Sequence, residues 1–169
     1  MGSHFDIGYF KKQKTKDRAS VAKKRTVINK IYAWNLDKEY YDGKRINGYA
    51  GFKYDGRWKK ILPKIIKRYR LTRKSRVLDL GCKKGFLLKD LNILIPGIKT
   101  FGVENHSYAL KKAVKCKSKL ILSEYNKLPF ANKYFDFVIA FNSLYMQHLG
   151  DVIKSLKEIE RVSKKSYVV

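Results

Sequence analysis

Two carboxylates and one glycine turn are the residues of this sequence whose type and spacing could do chemistry. Asp79 lies near the end of the run Val77, Leu78, Leu80, and the turn Gly81-Cys82-Lys83-Lys84-Gly85 follows directly. Glu104 ends the run Lys99 to Glu104, roughly twenty residues beyond that turn. A carboxylate is a bidentate acceptor, so one at a strand end can take both hydroxyls of a ribose. Asp79 suits a buried strand poorly unless loop amides or a bound amine pair with it. The turn does not follow the dinucleotide pattern G-x-G-x-x-G, because Lys83 stands two residues after Gly81 and the next glycine is Gly85.

The elements that must position these groups follow from periodicity. Val77, Leu78 and Leu80 suit a buried parallel strand, and Phe86, Leu87, Leu91 and Leu94 then adopt helical spacing. Pro96-Gly97 stops that helix. A second strand is predicted over 99–104, a short helix over 107–114, a third strand over 120–123 and a fourth over 137–141. A final helix over 151–162 carries Val152, Ile153, Leu156, Ile159 and Val162 on one face. Upstream, Trp58, Ile61, Leu62, Ile65, Ile66 and Tyr69 read as a packing helix, provided its regular part starts close to Pro63. Strand, glycine turn and helix in succession place backbone N–H groups where open α/β sheets bind ligands.

The run D-x-G-x-x-x-G formed by Asp79, Gly81 and Gly85 resembles the first motif of the class I S-adenosylmethionine (SAM) dependent methyltransferases, with Lys83 in place of a middle glycine. The stretch from Ser123 to Leu144 resembles the family's later run: Leu128-Pro129-Phe130 and Phe135-Asp136 match residue for residue. EIERVSKKSYVV resembles the approach to a fifth strand without its Pro-Gly-Gly turn. The resemblance implies an α/β fold, a three-layer α-β-α sandwich around a mostly parallel Rossmann-like sheet. About five strands are expected, with the family's last two missing, as in a truncated gene or fragment. It implies SAM as cofactor, seated by Asp79, Gly81, Cys82, Lys83, Gly85, Glu104, Asn105, Glu124, Tyr125 and Asn142. Glu124 would meet the adenine amino group and Tyr125, standing where alanine is common, the adenine ring.

Two segments are expected, 1–57 as a basic N-terminal extension and aromatic, glycine-rich lid segment and 58–169 as the SAM-binding domain, incomplete at its C-terminus. Residues 1–25 carry basic runs at Lys11, Lys12, Lys14, Lys16 and at Lys23, Lys24, Arg25, and read either as a polyanion-binding arm or as a solvated extension. A helix over 19–33 would have Val21, Ile28, Ile31 and Trp34 as a thin apolar stripe. Tyr40 to Trp58 contains an echo, Tyr41-Asp42-Gly43-Lys44 and Tyr54-Asp55-Gly56-Arg57, in which the Asp-Gly pairs read as tight turns. The segment resembles a YDGRW-containing subgroup of the family, which implies that Tyr54 and Arg57 face the methionine carboxylate or the substrate. A hairpin that packs its tyrosines on the domain is the other reading.

At 169 residues the chain holds one domain with a real core, and 44% hydrophobic residues exclude a wholly disordered chain. No apolar run is long enough to span a bilayer and the N-terminus lacks a signal-peptide core, so a cytoplasmic protein is expected. Cys82 and Cys116 suggest neither a disulfide framework nor a metal site. The net charge of +25 implies non-specific attraction to nucleic acid, unless a compositional bias produces it. An unpaired fifth-strand edge would call for a homo-oligomer or a partner to cover it.

Methyl transfer from a sulfonium asks the protein mainly for alignment and exclusion of water. A weakly acidic hydroxyl acceptor would also need a general base, for which His148 and then Tyr145 are the candidates. There is no Asn-Pro-Pro-Tyr run and no Pro-Cys nucleophile after the fourth strand, where the chain reads Phe141-Asn142-Ser143-Leu144. The leading reading is therefore methylation of a small molecule or a sugar precursor. An RNA methyltransferase, or a truncated non-catalytic remnant of the fold, are the alternatives.

Overall fold

A computed structural model describes residues 21, 23–145 and 147–169. The early basic runs at Lys11 to Lys16 and the predicted start of the first helix at Ala19 lie outside the described residues. The chain divides into two compact units, Met1–Lys53 and Tyr54–Val169.

In the first unit, α1 spans Val27–Asn35 and α2 spans Lys38–Asp42. Asn29 Oδ1 accepts the Thr26 N–H at 3.0 Å and starts α1, and Asp37 accepts the Glu39 N–H at 2.8 Å and starts α2. The expected apolar stripe does not enter a core: Ile28, Ile31 and Trp34 are all exposed, with Trp34 at 69%. The first half of the sequence echo is not a tight turn either. Tyr41 and Asp42 close α2, because the Asp37 cap nucleates a helical turn that propensity for Asp-Gly turns does not overcome. Tyr41 is 1% exposed and its ring lies parallel to that of Tyr49 at 6.2 Å, with Tyr40 and Phe52 against the same group. The tyrosines thus build the small core of this unit.

In the second unit, five parallel strands among the described residues form one sheet in the order β3-β2-β1-β4-β5. They span Arg76–Leu80, Lys99–Glu104, Ser118–Leu122, Phe137–Ala140 and Ser166–Val168 for β1 to β5. The third strand starts two residues earlier than predicted. It lies at the sheet edge, so polar Ser118 and Lys119 are admitted to the ladder, and the apolar run alone conceals its beginning. Val77 and Leu78 point to opposite faces of β1. Leu78, Leu80, Val103, Val138 and Ala140 join Ile159 and Val162 of α6 (Leu149–Val162) in one core. On the other face Phe137 meets Tyr69 of α3 (Leu62–Tyr69), ring centroids 4.2 Å apart. Two helical layers therefore enclose the sheet.

Helix α3 follows a 3-10 turn over Arg57–Lys60, and Pro63 falls in its first turn, where the missing N–H leaves no bond unmade. Between β1 and β2 runs α4 (Phe86–Leu94), and after β2 comes the short α5 (Ser107–Lys111). That helix stops before the predicted Val114 because the chain turns to donate the Val114 N–H to the Lys84 carbonyl at 3.0 Å.

Candidate functional site

Parallel pairing sets Leu80 of β1 opposite Val103 of β2, so the glycine turn and Glu104 leave the sheet side by side. The Val103 carbonyl accepts both the Gly81 N–H at 2.8 Å and the Cys82 N–H at 3.1 Å, which pins the turn to the end of β2. Gly81 has φ 78°, and a Cβ there would come within 2.2 Å of the Ser143 Cβ, so no other residue allows the segment after β4 to approach this closely. Lys83 keeps the left-handed backbone of a glycine, with φ 53°. Such a conformation costs a side-chain-bearing residue roughly 1 kcal/mol. The substitution therefore alters the side chain that the turn displays without altering its path.

That path aims the Lys83 N–H at Glu104 Oε2, 2.9 Å away. The other carboxylate oxygen, Oε1, accepts the Asn105 N–H at 3.0 Å, the His106 N–H at 3.2 Å and the Tyr125 hydroxyl at 3.0 Å. Glu104 is 2% exposed, and this set of donors is what allows a carboxylate to sit so deep. Asp79 is also buried. Loss of water pushes its carboxyl up to about 7, with the nearby Lys83 pulling it down and Glu104 pushing it further up. Burial likewise raises the Cys82 thiol well above its ordinary value, so this cysteine is a packed neighbour and no thiolate nucleophile.

The structure thus brings together Asp79, Gly81, Cys82, Lys83, Glu104 and Asn105, and Gly85 caps α4 beside them with φ 75°. Tyr125 joins the group from the segment after β3, with its ring in the core beside Leu78 and Leu128. Its neighbour Glu124 is exposed. Asn142 is exposed too, and its N–H is engaged by the Val169 carbonyl at 2.8 Å. Tyr145 is 66% exposed and His148 caps the start of α6, with its carbonyl accepting the Asp151 and Val152 N–H groups. Neither of the two has a side-chain contact with Glu104 or Asp79 among the described residues.

Tyr54 and Arg57 have partners of their own. The Tyr54 hydroxyl donates to Asp90 of α4, which also accepts the Trp58 N–H at 3.1 Å, and this bond to Asp90 pushes the phenol up to about 12. Arg57 pairs with Asp55 at 2.7 Å on the surface and holds that carboxyl below its usual range. Sequence reasoning missed Asp90, which is 0% exposed. The signal was its position one residue before Leu91 on the apolar face of α4, where a carboxylate demands partners. It also missed His106, whose Nδ1 lies 2.6 Å from Asn105 Oδ1 and 3.5 Å from Glu104 Oε1.

Residues 78–167 match the family model described as a methyltransferase domain, and since that is more than half of the chain, the chain belongs to this family. The family is that of class I SAM-dependent methyltransferases. A malonyl-(acyl-carrier protein) O-methyltransferase of Legionella pneumophila is 33% identical over 94 residues, covering 52% of this chain and 33% of that protein. The chain therefore spans about a third of the length of this curated relative. Among solved structures, the PH0226 protein from Pyrococcus horikoshii OT3 is 26% identical over 78% of this chain and 56% of its own, with a TM-score of 0.59. A SAM-dependent methyltransferase from Aquifex aeolicus, 23% identical, covers 66% of this chain and 69% of its own with a TM-score of 0.51, and shows the shared fold.

The residues present fit SAM, the cofactor of this family. Glu104 already accepts one side-chain hydroxyl, the relation a ribose would require of it. The buried Ser143 hydroxyl beside Gly81 lacks a hydrogen-bond partner among the described residues, as a polar wall facing a ligand would. Restoring glycine with Lys83→Gly is expected to leave thermal stability nearly unchanged, since relief of the left-handed strain offsets the added freedom of the unfolded chain. A melting-temperature loss of more than about 5 °C would show the lysine side chain to be structural.

Proposed function

We propose that this chain is the cofactor-binding part of a methyltransferase that acts on a small-molecule acceptor. The observation that supports it best is the buried Glu104 carboxylate at the end of β2, joined to the glycine turn through the Lys83 N–H at 2.9 Å. Glu104 would hold the ribose, Asp79 the amino group of the methionine portion, and the turn from Gly81 to Gly85 the chain between them. Cys82, Asn105 and Asn142 would line the same hollow, Glu124 would reach the adenine amino group and Tyr125 would adjoin it. When bound, SAM supplies a methyl group on a sulfonium that is already activated for displacement, so the protein's part is orientation and exclusion of water.

The relative's name suggests an acceptor class. A malonyl half-acid presents a carboxylate, which is ionised at neutral pH and needs no general base. An acceptor of this kind agrees with His148 and Tyr145 being exposed and distant in bonding from the buried carboxylates. A hydroxyl acceptor, including a sugar precursor, would instead call on His148 first. Of the two proposed substrate contacts upstream, the Tyr54 hydroxyl is held by the buried Asp90 and the Arg57 guanidinium by Asp55, so either would exchange that partner to meet an anionic acceptor.

RNA is the second reading, favoured by the net charge of +25. A salt-insensitive preference for one RNA would support it, and a steep loss of affinity with salt and no preference would reduce it to charge alone. Calorimetric titration with SAM tests the main reading. Glu104→Ala should weaken binding by roughly 1–3 kcal/mol with the fold retained, and unchanged affinity would remove Glu104 from the site.

A further inference from the structure

Among the described residues, Tyr125 is the side chain that donates a hydrogen bond to Glu104. The Lys83, Asn105 and His106 N–H groups belong to the backbone of the glycine turn and of the residues after β2, held there by parallel pairing and by the bonds of Gly81 and Cys82 to Val103. The Tyr125 hydroxyl, by contrast, rides on a side chain from the segment after β3. Oε1 of Glu104 receives three donors, at 3.0, 3.2 and 3.0 Å, although a carboxylate oxygen offers about two lone-pair directions. Oε2 receives one, at 2.9 Å. A ribose brings two neighbouring hydroxyls, and with Tyr125 in place the carboxylate has room for one of them. Both residues are sealed from water, Glu104 at 2% and Tyr125 at 4% exposure, so the hydroxyl cannot simply be replaced by solvent.

We propose that Tyr125 sets the cofactor affinity of this protein by acting as an internal stand-in for a ribose hydroxyl, which must leave Glu104 before the diol can bind. The inference rests on the reading of Glu104 as the ribose acceptor. The neighbouring loop limits how the side chain departs. The Leu128 N–H is tied to Glu158 at 2.6 Å and the Asn126 side-chain amide to Asp151 at 3.1 Å, both on α6, so the loop keeps these ties to the helix while the Tyr125 side chain rotates. In the free protein the same bond keeps the buried carboxylate supplied with donors. The polar group is thus satisfied in the absence of ligand, at the expense of affinity in its presence.

Tyr125→Phe isolates the hydroxyl, since the ring and its packing remain. Calorimetric titration of parent and variant with S-adenosylhomocysteine, adenosine and 2′,3′-dideoxyadenosine tests the proposal. The variant should bind S-adenosylhomocysteine and adenosine about 10-fold more tightly, the effect of one charge-assisted hydrogen bond no longer competing. Affinity for the dideoxy compound, which has no claim on Glu104, should not change. Equal affinity of parent and variant for all three ligands, or weaker binding of adenosine by the variant, would overturn the role of Tyr125 while leaving Glu104 as acceptor. A uniform gain for all three would show looser packing and would equally overturn it. If neither protein binds any of the three at millimolar concentration with unchanged melting temperatures, the ribose reading of Glu104 falls and this inference with it.

Discussion

Asp79→Asn is expected to stabilise the free protein at pH 8 and to weaken its binding of SAM. Burial raises the Asp79 carboxyl to about 7 in the folded chain, against an ordinary value of 3.8. Between those two values the folded state holds a proton that the unfolded state has released. Stability therefore falls as pH rises from about 4 to about 7 and is level above that. A shift of about three units corresponds to about 4 kcal/mol at most. Asparagine carries no charge to bury, so at pH 8 the variant should gain about 2–4 kcal/mol over the parent, and the gain should vanish near pH 4. Urea midpoints of the two proteins across this range measure it. Identical midpoints at pH 8 would mean that the ionised carboxylate has a compensating partner. If Asp79 receives the cofactor's amino group, the same substitution should weaken SAM binding about 10-fold or more, the loss of a charge-assisted contact. Stability given up in the free state would then be recovered on binding.

Arg161→Ala should have the largest destabilising effect, about 2–4 kcal/mol. Its guanidinium donates to the carbonyls of Leu128 and Phe130 at 3.0 and 2.7 Å, to Asn132 Oδ1 at 3.0 Å and to both oxygens of Glu158 at 2.6 and 2.7 Å. Glu158 in turn accepts the Leu128 N–H at 2.6 Å. The run Leu128-Pro129-Phe130 is thereby clamped to α6, and truncation at Arg161 leaves three acceptors and one carboxylate without their donor. Arg161→Lys should recover less than half of the stability lost in the alanine variant, because an ammonium cannot span this fork of acceptors. Denaturant midpoints at pH 7 measure both, and a loss below about 0.5 kcal/mol for the alanine variant would show the clamp to be incidental. The bond from Arg161 holds the Glu158 carboxyl below its ordinary value, and Lys164 does the same for Asp136. Both contributions are present above the unfolded carboxylate range and fade as pH falls through and below it, opposite in sign to that of Asp79. Stability of the parent should therefore pass through a maximum in mildly acidic solution.

Leu128-Pro129-Phe130 and the Glu158-to-Val162 run are the two sides of one hydrogen-bonded junction, in which the Glu158 and Arg161 side chains bind backbone groups of Leu128 and Phe130, a pairing that adjacent residues do not reveal. Tyr54 shows the same. Its placement in an aromatic, glycine-rich stretch suggested a ligand, and only the burial of Asp90 on a helix far along the chain reveals the hydroxyl's partner.

Local pattern by itself determined the order of strands and helices, the glycine turn, and the two strand-end positions of Asp79 and Glu104. These depend on side-chain period and backbone freedom, which are properties of neighbouring residues. Tertiary structure decided that Glu104 accepts the Tyr125 hydroxyl, that Lys83 keeps a glycine's backbone, that Trp34 faces outward and that His148 caps the start of α6. Each of these turns on which groups meet after parallel pairing brings distant segments to one sheet edge, and on the water lost there, and neither quantity is written in a stretch of adjacent residues.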